Sequence, residues 1–144
     1  MLWNEEYNTG IEPLDFEHRQ IFQEIERFED TMGIMTKDCS KELRELFTFI
    51  EDHISRHFPE EERLMQENHY PDFERHRCQH TEFKQFFLEF KNRLEIEGVS
   101  SSFTLFTKDT IVCWMKTHII NTDRLFGEYL KAKRTAKVTS EYSR

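Results

Sequence analysis

Apolar residues recur along this chain at alternating intervals of three and four, the repeat of an amphipathic helix, in four segments separated by helix-breaking residues. The first starts near Pro13 and carries Leu14, His18, Ile21, Ile25, Phe28, Met32 and Met35 on one face. After a connection at Gly33 to Ser40, the second carries Leu43, Phe47, Ile50, Ile54, His57, Glu61 and Leu64. Asn68 to Pro71 leads into the third, with Phe73, His76, His80, Phe83, Phe87, Phe90 and Leu94. Gly98 to Ser102 leads into a weaker fourth, with Ile111, Met115, His118, Thr122, Leu125 and Tyr129. Four helices with short connections pack antiparallel to their neighbours, so the predicted fold is all-α, an up-down-up-down four-helix bundle. Pro59 falls inside the second segment, where a missing backbone donor predicts a kink or a restart.

Every one of the four apolar seams is interrupted by side chains that bind metals. A single histidine on such a seam is more often a hydrogen-bonded core residue, but histidines on all four are harder to place. Burying five imidazoles and a carboxylate without partners would cost about 1 to 3 kcal/mol each, comparable in sum with the whole stability of a small domain. A metal cluster compensates them most directly. His57 and Glu61 are four apart, as are His76 and His80, so each pair shares a helix face. His118 and Asp123 are five apart, roughly 140° round a regular helix, and share a site only if the helix is locally widened or the Asp reaches back.

Imidazole with carboxylate suits iron, zinc, copper or manganese, and seven such donors exceed one tetrahedral zinc but match two ions of higher coordination number. Iron is the preferred reading. The Glu-x-x-His repeats of carboxylate-rich di-iron oxidases are absent, since no His has Glu three residues before it. An imidazole-rich pair is less reducing, which favours binding of oxygen over its cleavage.

Composition adds limits. Only 4 Gly and 3 Pro leave little material for a turn-rich β fold, whereas 14 Phe supply core. The net charge of -8 gives no attraction to nucleic acid or an anionic membrane. It is uneven: residues 131–144 hold Lys131, Lys133, Arg134, Lys137 and Arg144 against Glu141, which leaves the first 130 at -12. The expected organisation is one helical domain over 1–130 and a short basic tail over 131–144, a solvated end or a docking segment for a protein partner. No apolar stretch is long enough for a membrane span, and the N-terminus lacks a signal core. Cys39, Cys78 and Cys113 form no CxxC pair and read as free thiols. A cytoplasmic monomer is the expectation.

Trp3, Asp15-x-x-His18, His57-Phe58-x-x-Glu61-Glu62-x-Leu64-Met65, Tyr70-Pro71-x4-His76-x3-His80-x2-Phe83 and Trp114-x3-His118-Ile119-x3-Asp123 together resemble the signature of the bacterial hemerythrins, in order and spacing, over roughly residues 3 to 130. The resemblance implies one iron held by His76, His80 and His118, and a second held by His18 and His57 with one position open. It further implies that Glu61 and Asp123 bridge them beside an oxo or hydroxo group, and that molecular oxygen binds reversibly at the open position. Trp114, Met115 and Ile119, flanking His118, are candidates for the wall of an oxygen pocket, with core packing an equal alternative. Asp15 is expected to be an early-helix acid or an acceptor for a ligand's outer nitrogen, and Glu62 a solvated residue. His53, where relatives often carry Tyr, is read as a core residue, with an outer partner or an extra ligand as alternatives. His69 has no assigned role. An oxygen carrier is preferred over an oxygen or redox sensor and over a di-iron oxidase or peroxidase.

Overall fold

The structure, a computed structural model, describes residues 3–34, 40–97 and 100–142. Met35, Cys39 and parts of the first and third connections lie outside the described residues. After a short 3-10 turn at Glu5–Tyr7 come α1 (Glu12–Ile34), α2 (Ser40–Glu67), α3 (Phe73–Glu97), α4 (Ser101–His118), a π turn (Ile119–Asp123) and α5 (Arg124–Tyr142). Right-handed helical dihedrals at His118, Ile119 and Arg124 make α4, the π turn and α5 one continuous rod. The result is the four-helix bundle that the periodicity predicts, with no strand among the described residues.

Local chemistry sets the helix ends. Ser100 caps α4, its side chain accepting from Phe103 N at 3.1 Å. α2 closes with His69 N donating to Gln66 O and Tyr70 N to Met65 O. That bonding pattern needs a left-handed residue between helix and turn, and His69 supplies it at φ 53°. Tyr129 Oη and Lys133 Nζ then donate to the carbonyl of half-buried Asn68 at 2.6 and 2.7 Å, fastening the turn to α5. At the N-terminus, buried Asp15 accepts from Thr9 N and Thr9 Oγ1 at 2.8 Å and from Gly10 N at 3.1 Å. Asp15 therefore pins the leading segment to α1 and does not face a histidine. The pinned Thr9 carbonyl passes so close to Gly127 that a Cβ there would collide with it, and Gly10 adopts φ 86°, a conformation that favours glycine.

Three of the seams are buried largely as the spacing predicts, from Leu14 to Phe28 on α1, Leu43 to Glu61 on α2 and His76 to Leu94 on α3. At the end of α2, fully buried Met65 takes the core place expected of Leu64, which is half-buried. α2 continues unbroken through Pro59 with no restart. Pro59 and Ser55 are both exposed, so the Ser55 carbonyl that lacks an amide partner can be hydrated.

The fourth seam departs most. Ile111, Met115 and His118 are buried as expected, but Leu125 is 52% exposed and Tyr129 half-buried, while Phe126 and Leu130 fill the core. The π turn is the cause: it accommodates one extra residue, so every inward position beyond it moves one place along the sequence. α5 carries on through most of the basic tail, its residues 131–138 exposed.

Candidate metal centre

α1 delivers His18, α2 His57 and Glu61, α3 His76 and His80, and the fourth rod His118 and Asp123, all to one level of the bundle. Each of the seven side chains is at most 5% exposed. The five-residue spacing of His118 and Asp123 is accommodated by the π turn between them, in which Arg124 N donates to Ile119 O in place of a regular i to i+4 bond. The widened turn puts both on the inner face.

The carboxylates divide the histidines into two sets. Asp123 places Oδ1 at 3.0 Å from both His76 Nε2 and His118 Nε2, and Oδ2 at 3.1 Å from His18 Nε2. Glu61 places Oε1 at 2.5 Å from His76 Nε2 and 3.4 Å from His80 Nε2, and Oε2 at 3.5 Å from His57 Nε2. Each carboxylate thus offers one oxygen to the His76, His80 and His118 side and the other to the His18 and His57 side. Donor atoms from Glu61, His76, His80, His118 and Asp123 lie within 4.8 Å of one another, as do those of His18, His57 and Glu61.

These contacts are not a satisfied hydrogen-bond network. Both oxygens of Glu61, Asp123 Oδ1 and His76 Nε2 are buried without a hydrogen bond of acceptable geometry, although charged neighbours stand close. His80 Nε2 and His118 Nε2 face each other at 3.2 Å. The His118 ring cannot supply the proton between them easily, because its Nδ1 donates to Gln79 Oε1 at 2.8 Å, leaving an Nε2 lone pair inward. Gln79 is itself held by Thr122 Oγ1, which donates to the same oxygen at 2.8 Å. His57 is set the same way, its Nδ1 donating to Glu17, so its Nε2 also faces inward as an acceptor. His57 and His118 thus turn a lone pair inward with the proton outward, as metal ligands do, while the outer Nδ1 atoms of His18, His76 and His80 are buried with no hydrogen-bond partner. The convergence of five imidazoles and two unsatisfied carboxylates still fits a metal cluster.

The site's charges follow from the packing. Burial and the Asp123 charge oppose ionisation of Glu61, but His76 and His80 outweigh them and hold it down at about 2. Burial likewise opposes charge on His76, yet the two carboxylates raise it to about 10. Asp123 lies well below its ordinary value because burial is overcome by His118, His18 and His76. Burial opposes charge on His57 too, but its bond to Glu17 and the nearby Glu61 raise it; the same bond to His57 lowers Glu17. The two raised histidines thus hold protons against the lowered carboxylates.

Glu17 and Gln79 carry no signal in the sequence, since both sit on the polar flanks of their helices. Rings brace the ligands as well: Phe58 stacks on His80 at 3.9 Å and Trp114 on His118 at 4.5 Å. Glu62 is not simply solvated, for its Oε2 lies 3.7 Å from His80 Nδ1. His53 is buried beside His57, and burial followed by the His57 charge lowers it to about 4. His69 is exposed in the turn after α2. A cavity of about 10 Å³ opens beside His18, His57, His118 and Asp123, walled by Ile21, Phe58, Trp114, Met115 and Ile119.

Comparison with known proteins gives one consistent result. Residues 9–130 match the profile of the hemerythrin HHE cation binding domain. Bacteriohemerythrin of Methylococcus capsulatus is 28% identical over 136 residues, covering 92% of this chain and 98% of its own. Myohemerythrin of Theromyzon tessulatum is 29% identical over 121 residues, covering 84% and 86%. Among solved structures, a wild-type hemerythrin crystal structure matches with a TM-score of 0.69 and 26% identity, over 89% of this chain and 95% of that one.

Proposed function

The chain belongs to the hemerythrin family, and from that premise we propose that it binds molecular oxygen reversibly at a non-heme pair of iron ions, as a carrier or store and not as a catalyst. The observation that carries this reading is the double span of the carboxylates: Glu61 and Asp123 each offer one oxygen to His76 and its neighbours and the other to the His18 and His57 side. Two ions would be held by His76, His80 and His118 on one side and His18 and His57 on the other, with Glu61 and Asp123 offering an oxygen to each, whereas one ion would leave buried groups uncompensated. When bound, an iron pair would supply the reversible two-electron chemistry that oxygen uptake and release require.

The protein's own groups do the rest. His76, His80 and His118, each beside an oxygen of Glu61 or Asp123, would hold one ion. The other side would have fewer donors, His18 and His57, and the small cavity touches both of them as well as His118. Its apolar wall of Ile21, Phe58, Trp114, Met115 and Ile119 disfavours water and anions and offers no proton donor apart from the indole N–H. That favours return of the ligand unchanged over hydrolysis or oxidation of a second substrate. Glu17 and Gln79 hold the His57 and His118 rings in the tautomer that presents Nε2 inward.

Residues 9–130 hold every donor, so 1–130 is assigned as the oxygen-binding domain and 131–144 as an appended basic segment able to meet an acidic protein surface. A cytoplasmic setting is in keeping with Cys78 and Cys113, which are free and exposed. No helix among the described residues is long and apolar enough to cross a membrane. We assign the protein as a monomer, which sedimentation tests. The di-iron assignment is tested by elemental analysis of protein produced with ample iron: two irons per chain are expected, and a reproducible single zinc would refute it.

A further inference from the structure

Beyond the inner cluster, a second group of donors lies on the outer side of His57. Nitrogens of His53 and His57 and a carboxylate oxygen of Glu17 stand within 4.8 Å of one another. The His53 ring is 4% exposed, 5.6 Å from the His57 ring and 5.8 Å from that of Phe49. Its Nε2 is buried with no hydrogen-bond partner, a defect that simple core packing leaves uncompensated. The Glu17 side chain, by contrast, is 33% exposed and links the group to solvent.

We propose that Glu17, His53 and the Nδ1 side of His57 form an outer binding site for a divalent first-row transition ion, distinct from the seven-donor centre. Two imidazoles and a carboxylate are a donor set that iron and zinc both accept, with water completing the shell from the Glu17 side. His57 is common to both sites. Its Nε2 serves the inner centre, and coordination through Nδ1 releases the proton now shared with Glu17 to solvent, leaving the ring as a bridge between ions. His53, which takes no part in the inner centre, belongs to the outer site alone. The proposal does not require that the inner centre hold iron.

The test uses zinc as the probe. Iron-loaded wild-type protein and the variants His53→Phe and His53→Leu, each checked for native helix content by circular dichroism, are dialysed against Zn2+. Iron and zinc are then summed per chain. The expected result is one ion more in the wild type than in the folded variants, with any adventitious surface zinc cancelling in the difference. Equal totals in wild type and variants overturn the outer site. The di-iron reading is judged separately: a variant total below two refutes it, and leaves the outer site standing if the one-ion difference persists.

Discussion

Met115 lies three residues before His118 on the inner face, is buried, and contributes to the cavity beside His18 and His57. Exchanging it for Leu nearly conserves volume and should cost less than about 1.5 kcal/mol of stability. Met115→Ala removes bulk from the cavity wall and should cost about 2 to 5 kcal/mol, while speeding both azide binding to the oxidised protein and autoxidation of the oxygenated one. Stopped-flow azide rates and autoxidation rates that stay at wild-type values, despite the lost stability, would make Met115 a packing residue only. Glu17 acts on the outer side of His57. Glu17→Ala removes the acceptor that fixes the His57 tautomer, so iron affinity, read by chelator competition, should fall roughly 10- to 100-fold; unchanged affinity would remove Glu17 from the site. The two residues differ in legibility. Met115 and six of the donors stand out because each occupies a seam whose pattern it obeys or interrupts, whereas Asp123 falls off the regular repeat. Glu17 and Gln79 occupy the polar flanks, where any carboxylate or amide passes for a solvated surface group, and only the three-dimensional partner distinguishes them.

Among the elements, the π turn has the widest consequences. It resolves the awkward spacing of His118 and Asp123, and it moves the downstream core from Leu125 and Tyr129 to Phe126 and Leu130. The sequence carried the clue, a five-residue gap between two donors, but a regular helical repeat continued past it misplaces everything beyond. Deleting exposed Asn121 should let the rod close into a regular helix with Asp now four residues from His118 and the downstream core still facing inward. Helix content should therefore survive, while the altered position of the bridging carboxylate weakens iron binding. A deletion protein that unfolds, or binds iron as tightly as the wild type, would show that the turn plays some other part. The turn after α2 makes a second case. His69 adopts a left-handed conformation that glycine adopts without steric penalty, so His69→Gly should leave iron content intact and raise stability by up to roughly 1 kcal/mol in thermal melts. The apolar repeat carries no trace of this, because the constraint is on the backbone alone.

For the molecule as a whole, the centre joins all four helices, so metal and fold are coupled. Once a chelator removes the metal, protons must neutralise the cluster. His76 then stands at about 10 and His57 above its usual value, whereas unfolded histidines titrate near 6.5. The folded protein binds more protons than the unfolded one above that point. Its stability should be greatest below about pH 6.5 with respect to these two groups and fall as pH rises toward 10. Metal binding releases the same protons, so the stabilisation it confers should grow over that range. Thermal melts of metal-free and iron-loaded protein between pH 6.5 and 9 should diverge, and parallel curves would contradict the coupling. The central claim, reversible oxygen binding, is tested most directly by the absorption spectrum of the reduced, iron-loaded protein before oxygen, under oxygen and after purging. A visible band that appears with oxygen and disappears on purging, over repeated cycles and with two irons retained per chain, is the predicted result. A spectral change that purging does not reverse, or no response from protein holding two ferrous ions, would contradict it.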